Sequence, residues 1–330
     1  MISRTYKRFL LSSAVFIFGI IYIFYSFFYN PKVNIISNDL IEWEVGWENT
    51  RSLYSGSELG FRVDNSRSLT IEIITQSKAD QGLEIIIDDK IYYLSSSLNT
   101  DSKSLTIDLN NKKAYTVNVR HSCIYLYDPC ELAIKGIYID KHASLLPFNS
   151  DKKTISILGD SLSTIYGSKN YSRLLADNLD YQLHNASILG STVSTISGYD
   201  SAFNRYHKDL YSINSELIII FLGTNDVSNN VPLDIFENNY SQIISDVKAW
   251  NPKGKILLVS IPFRKDIKSH VLEKYNEVIR KISIENGAYF VDTSYWLTKD
   301  DFVDDIHPSE DSQTKISQNF KEIIDSMQKL

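Results

Sequence analysis

Cysteine and proline are scarce in this chain: two cysteines and seven prolines in 330 residues. Two cysteines cannot staple a small disulfide scaffold, and the sparse proline excludes a collagen-like repeat. A hydrophobic share of 43% excludes a disordered chain. Excess positive charge is also missing. With 34 basic residues against 40 acidic ones the net charge is −6, which argues against a nucleic-acid partner. No Cys/His spacing suits a zinc site, so no metal is expected. Internal repeats and low-complexity tracts are absent. The length is that of two ordinary domains.

The charge is unevenly divided. Residues 1–32 contain Arg4, Lys7, Arg8 and Lys32 and no acid, which leaves 30 basic against 40 acidic residues in 33–330. Between Phe9 and Pro31 no residue is charged, and most are Ile, Phe, Leu, Val or Tyr. At about 1.5 Å per residue a helix of this length crosses a hydrocarbon core of roughly 30 Å. Arg4, Lys7 and Arg8 then place the N-terminus in the cytoplasm. The run ends in Tyr25, Phe27, Phe28 and Tyr29, not in the small residues of a signal-peptide cleavage site. Residues 1–32 are therefore expected to be a cytoplasmic tip and single-pass cell-membrane anchor, with the rest of the chain extracytoplasmic.

Residues 33–148 read as short strands. Ser104–Leu109 and Tyr115–Arg120 alternate apolar and polar, while Leu69–Thr75, Leu83–Ile87 and Ile134–Ile139 are rich in β-branched residues. Turn signals at Asp64-Asn65-Ser66, Asp88-Asp89 and Asn110-Asn111 separate them, as in an all-β sandwich. Cys123 and Cys130 flank an expected hairpin, and a disulfide between them is favoured over two free thiols. From residue 149 to 330 the pattern changes. Apolar runs at Ile155–Leu158, Leu217–Leu222, Ile256–Ile261 and Ala288–Val291 alternate with helix-period segments. Tyr240, Ile243, Ile244 and Val247 share one helix face, and Ile316, Phe320, Ile323, Ile324 and Met327 share another. Buried strands alternating with helices predict a parallel α/β sheet.

Three turns in this second part carry glycine after an expected strand end: Gly159-Asp160-Ser161-Leu162, Ala186–Gly190 and Gly223-Thr224-Asn225-Asp226. Ligands in open α/β sheets bind beyond the carboxyl ends of the strands, where such turns meet. Asp304-Asp305-Ile306-His307-Pro308 precedes the last helix. A serine hydroxyl needs a base, an imidazole needs an orienting carboxylate, and a developing oxyanion needs preorganised donors. All of these parts are present. Asp304 is three residues before His307, with Asp305 the alternative. Asp160 and Asp226 read as hydrogen-bonding partners of the turns. Trp296, eleven residues before His307, is a candidate to line a substrate pocket.

These four blocks, in this order, resemble the SGNH/GDSL hydrolase superfamily over residues ~152–330. The resemblance implies a flavodoxin-like parallel sheet and a nucleophile, base and orienting acid at Ser161, His307 and Asp304. It also implies an oxyanion hole built from Ser161 N–H, Gly190 N–H and the Asn225 side chain. A sandwich followed by this domain further resembles two-domain carbohydrate esterases of family 2 and relatives, whose accessory domain would here be jelly-roll-like. Ile165 and Asp305 depart from the pattern at positions that are often glycine. The implied activity is removal of acyl groups, O-acetyl above all, from a cell-surface or exported glycan, with no cofactor. A lipid esterase or lysophospholipase, a glycan O-acyltransferase, and a glycan-binding protein with a vestigial site are the alternatives.

Overall fold

The computed structural model describes residues 31–43, 47–48, 50–52, 56–75, 81–95, 103–110, 114–123, 132–148, 152–196 and 201–328. Two antiparallel sheets come first. One runs in spatial order Trp47–Glu48, Arg51–Ser52, Leu132–Asp140, Ser68–Thr75 and Lys103–Asp108, with Lys32–Asn34 also paired to Leu132–Asp140. The other runs Ser144–Leu146, Glu58–Asp64, Tyr115–Cys123, Gln81–Ile87 and Lys90–Ser95, with Glu42–Trp43 paired to Glu58–Asp64. Strand side chains alternate between faces. Leu59, Phe61 and Val63 therefore point the same way, as do Leu69, Ile71 and Ile73, and Leu83, Ile85 and Ile87. All of them are buried in one cluster shared by the two sheets. A bulge between Ile134 and Gly136 leaves Lys135 unopposed. The extra residue shifts the alternation, so that Leu132 and Ile134 before it, and Ile137 and Ile139 after it, all reach the core.

The expectation of a membrane anchor is corrected. No helix among the described residues is long and apolar enough to cross a membrane. The apolar run that carried the expectation lies, apart from Pro31, outside those residues. Sheet begins directly after it: Pro31 O accepts from Lys141 N at 2.7 Å, and Lys32 pairs with Asp140. Nothing among the described residues supports a transmembrane helix, a membrane partner or a single-pass topology, and the functional account below uses none of them. Cys123 closes the Tyr115–Cys123 strand, whereas Cys130 lies outside the described residues, and the expected disulfide with it.

The parallel sheet runs Gln182–Asn185, Thr154–Gly159, Leu217–Phe221, Lys255–Val259 and Tyr289–Val291. By chain order this is 2-1-3-4-5, so the order reverses between the first and third strands. The central strand Leu217–Phe221 is apolar on both sides because both of its faces are covered. Leu217, Ile219 and Phe221 pack with Tyr171, Leu175, Phe320 and Ile324 of the helices Tyr171–Leu179 and Glu310–Gln328. Ile218 and Ile220 pack with Tyr240, Ile243, Ile244 and Ile279 of the helices Leu233–Trp250 and Ser269–Asn286. The sandwich meets this part through polar groups, some of them buried. Ser168 donates its hydroxyl to Glu84 and its N–H to Ser122 Oγ at 3.2 Å. Arg120 bridges Glu58 at 2.8 Å and Asp177 on the first helix at 3.2 Å.

Candidate active site

The crevice at the reversal point is where a ligand of such a sheet binds, and the glycine turns converge there. The first strand ends at Gly159, where an added Cβ would lie 2.5 Å from Ser163 Oγ and 2.8 Å from Ser187 Oγ. No side chain fits. Asp160 then caps a single 3₁₀ turn, Ser161–Ser163, its Oδ1 accepting from Leu162 N at 3.0 Å. As the first residue of that turn, Ser161 has an N–H without an intrahelical acceptor. Ser161 is buried but not sealed, at 6% exposure, as is His307 at 8%.

The Ser161 hydroxyl donates to His307 Nε2 at 2.9 Å, and His307 Nδ1 donates to Asp304 Oδ2 at 2.7 Å. The other oxygen of Asp304 accepts from the N–H groups of Ile306 at 2.7 Å and His307 at 2.6 Å. One carboxylate thus builds the turn that presents the histidine and also orients its ring. Partial burial pushes the Asp304 carboxyl up, but the His307 N–H and ring and the Ile306 N–H outweigh it and hold the group below its ordinary value. An ionised Asp304 places the imidazole proton on Nδ1 and leaves Nε2 as acceptor, the tautomer a base requires. Asp305 is exposed; its backbone carbonyl accepts from Lys265 N at 2.9 Å.

Gly190 ends the second turn in left-handed backbone, at φ 72°, a conformation that glycine adopts without steric cost. Asn225 is the second residue of the short helix Thr224–Ser228, and its amide donates to Ser191 O at 2.9 Å and to Asp160 Oδ2 at 3.3 Å. The first, second and third turns are thereby tied together. Asp226 completes the link by accepting from Val193 N at 2.7 Å and Ser194 N at 3.1 Å. Both acids are turn partners, as expected. Burial raises Asp160 to about 7, opposed by the Leu162 N–H and reinforced by the charge of Asp226. Burial likewise raises Asp226 to about 6, against the N–H groups of Val193 and Ser194.

Trp296 is not brought into this group. Its ring packs edge-on against Phe320, with centroids 4.8 Å apart, beside the hydrophobic cluster under the sheet. Two arginines escaped the sequence reasoning. Arg264, fully buried, donates to Thr224 O at 2.7 Å and Ser228 Oγ at 2.8 Å, bracing the helix that carries Asn225. Arg205 reaches the first and second turns. Neither lies in a motif block, and a lone arginine carries no pattern that marks it as buried.

Residues 157–315 match the model of the GDSL-like Lipase/Acylhydrolase family. Several solved structures share the fold. A family two carbohydrate esterase from Clostridium thermocellum, in complex with cellohexaose, is 16% identical with a TM-score of 0.73, covering 88% of this chain and 100% of its own. An acetyl xylan esterase from the rumen bacterium Butyrivibrio proteoclasticus is 17% identical with a TM-score of 0.70, covering 91% and 98%. A salicylyl-acyltransferase from a tetracycline biosynthetic pathway is 12% identical with a TM-score of 0.73, covering 90% and 97%. No curated protein sequence matches the chain. With its buried Ser-His-Asp arrangement and its match to an acylhydrolase family, the chain is a serine hydrolase acting on ester bonds.

Proposed function

We propose that this protein removes acyl groups, O-acetyl in the first instance, from hydroxyls of a glycan. The observation that carries the chemistry is the unbroken relay Ser161 Oγ, His307 Nε2, His307 Nδ1, Asp304 Oδ2, with links of 2.9 and 2.7 Å. Ser161 Oγ attacks the ester carbonyl while His307 Nε2 takes its proton, and Asp304 stabilises the imidazolium. The carbonyl oxygen becomes an oxyanion held by Ser161 N–H, Gly190 N–H and the Asn225 amide. His307 returns the proton to the departing sugar oxygen and then activates water against the acyl-enzyme. Residues 149–330 supply all of these groups, and residues 33–148 form an accessory domain. A glycan substrate is supported by the likeness to carbohydrate esterases, one of them in complex with cellohexaose.

The likeness to a salicylyl-acyltransferase favours a second reading, in which a hydroxyl acceptor replaces water. One experiment separates them. The full chain is incubated with an O-acetylated polysaccharide, a lysophospholipid, and the polysaccharide plus excess free sugar. Acetate release from the polysaccharide, lost in Ser161→Ala, is the expected result. Acetyl-sugar formed in preference to free acetate makes the protein a transferase. Fatty acid released without acetate overturns the glycan assignment.

A further inference from the structure

We infer that Arg205 is a positioning residue for the oxyanion hole, fixing the nucleophile turn and the Gly190 turn at one spacing. The inference rests on the catalytic roles proposed above. Arg205 lies on the helix Ala202–Leu210, outside every motif block, and its side chain is largely buried, at 12% exposure. Nη1 donates to Ala186 O at 2.6 Å and also to Asp209. Nη2 donates to Ser191 Oγ at 3.1 Å and reaches Gly159 O at 3.4 Å.

These acceptors are not scattered. Gly159 is two residues before Ser161, whose N–H is the first donor of the hole. Ala186 opens the second turn and Ser191 directly follows it, with Gly190, the second donor, between them. Ser191 also accepts from Asn225, the third donor, through its carbonyl at 2.9 Å. One rigid plane therefore contacts both segments that carry the backbone donors, and through Ser191 it touches the partner of the third. The planar fork of an arginine can serve several acceptors in fixed relative positions, whereas a lysine is a flexible point charge. Asp209, one helical turn away, offsets the buried charge. Arg205 Nε is buried without a hydrogen-bond partner. An unpaired buried donor is unfavourable, so the side chain is held where its Nη contacts are made and not where its own donors are best satisfied. The guanidinium does not touch the reacting atoms; it acts through the two turns.

The test is Arg205→Lys in the full chain, assayed on 4-nitrophenyl acetate and with a fluorophosphonate that phosphonylates the nucleophile. Losing one well-placed oxyanion donor costs roughly 10²–10³ in kcat, and misplacing the donors costs about 10–100-fold. The expected result is full stoichiometric labelling at a rate reduced in parallel with kcat, with KM within about twofold and an unchanged pH–rate midpoint. A merely structural role lowers activity only as far as it lowers the labelled fraction, so an unchanged kcat per labelled site overturns the inference. Should Arg205→Lys fail to fold, Ser191→Ala removes one contact while keeping the carbonyl that Asn225 uses. A loss of about 3–10-fold in kcat at constant KM supports the inference, and no loss overturns it. Failure of the parent chain itself to be labelled at Ser161 would instead defeat the underlying catalytic assignment.

Discussion

Replacing Asp304 by asparagine separates the two tasks of that carboxylate. Oδ1 accepts the N–H groups of Ile306 and His307 at 2.7 and 2.6 Å, and an asparagine carbonyl in the same place keeps both. Oδ2, which accepts from His307 Nδ1 at 2.7 Å, becomes an amide nitrogen. Donor then faces donor. The ring is relieved only by moving its proton to Nε2, where it can no longer accept from Ser161. A charge-assisted hydrogen bond contributes about 1.5–3 kcal/mol, and imposing the wrong tautomer costs about as much again. A total of about 4–5 kcal/mol corresponds to a fall of roughly 10³–10⁴ in kcat, the range found for the equivalent change in serine-protease triads. The assay is turnover of 4-nitrophenyl acetate beside the thermal melting curve, with Asp305→Asn as control. We expect the loss in Asp304→Asn at an almost unchanged melting temperature, and near-parental turnover in the control. Activity of Asp304→Asn within tenfold of the parent, or an equal loss in Asp305→Asn, refutes the assignment of the orienting acid.

Three further outcomes follow from the geometry. In the mechanism proposed above the Asn225 amide, 2.9 Å from Ser191 O, is an oxyanion donor, which Asn225→Ala removes. Its kcat should fall by about 10²–10³ with little change in KM; a rise in KM at constant kcat contradicts this role. Burial raises Asp160 from 3.8 to about 7, so the folded chain takes up this proton more readily than the unfolded one. Its contribution to stability is full below the unfolded value and is lost as pH rises through about 7. Melting temperatures should fall across that window, and Asp160→Asn should flatten the slope; an equally steep slope in the variant counts against the linkage. Trp296→Ala removes the ring stacked edge-on against Phe320. It should destabilise by about 2–3 kcal/mol with an unchanged KM, whereas a raised KM at full stability would return this residue to the substrate pocket.

Much of the framework was legible because burial writes periodicity into the chain. Tyr240, Ile243, Ile244 and Val247, grouped by helical spacing, are all buried, as are Ile316, Phe320, Ile324 and Met327. The expected strand Leu83–Ile87 lies within Gln81–Ile87, and Ile134–Ile139 within Leu132–Asp140. The strand Gln182–Asn185 gave no apolar signal, since it buries polar side chains that are satisfied by neighbouring segments. His184 Nδ1 pairs with Ser156 Oγ at 3.0 Å, and the Asn185 amide donates to Ser163 O at 2.7 Å. The sequence left Asp305 open beside Asp304, and the structure distinguishes them: Asp304 accepts from both the N–H and the ring of His307. Arg205 and Arg264 were not legible. The acceptors through which they brace the turns are distant carbonyls and hydroxyls, which leave no mark in local sequence. The membrane expectation rested on a run that lies almost wholly outside the described residues, among which no helix is long and apolar enough to cross a membrane.

The central claim is that Ser161 carries the acyl group during turnover. Its most direct measurement is rapid acid quenching with an activated acetate ester, followed by peptide mapping in a mass spectrometer. The account predicts one acetyl group on the peptide containing Ser161, accumulating in Asn225→Ala or in the parent and absent from Ser161→Ala. Turnover by Ser161→Ala at the parental rate, or an acetyl group on another residue that forms and decays at the rate of turnover, would contradict it.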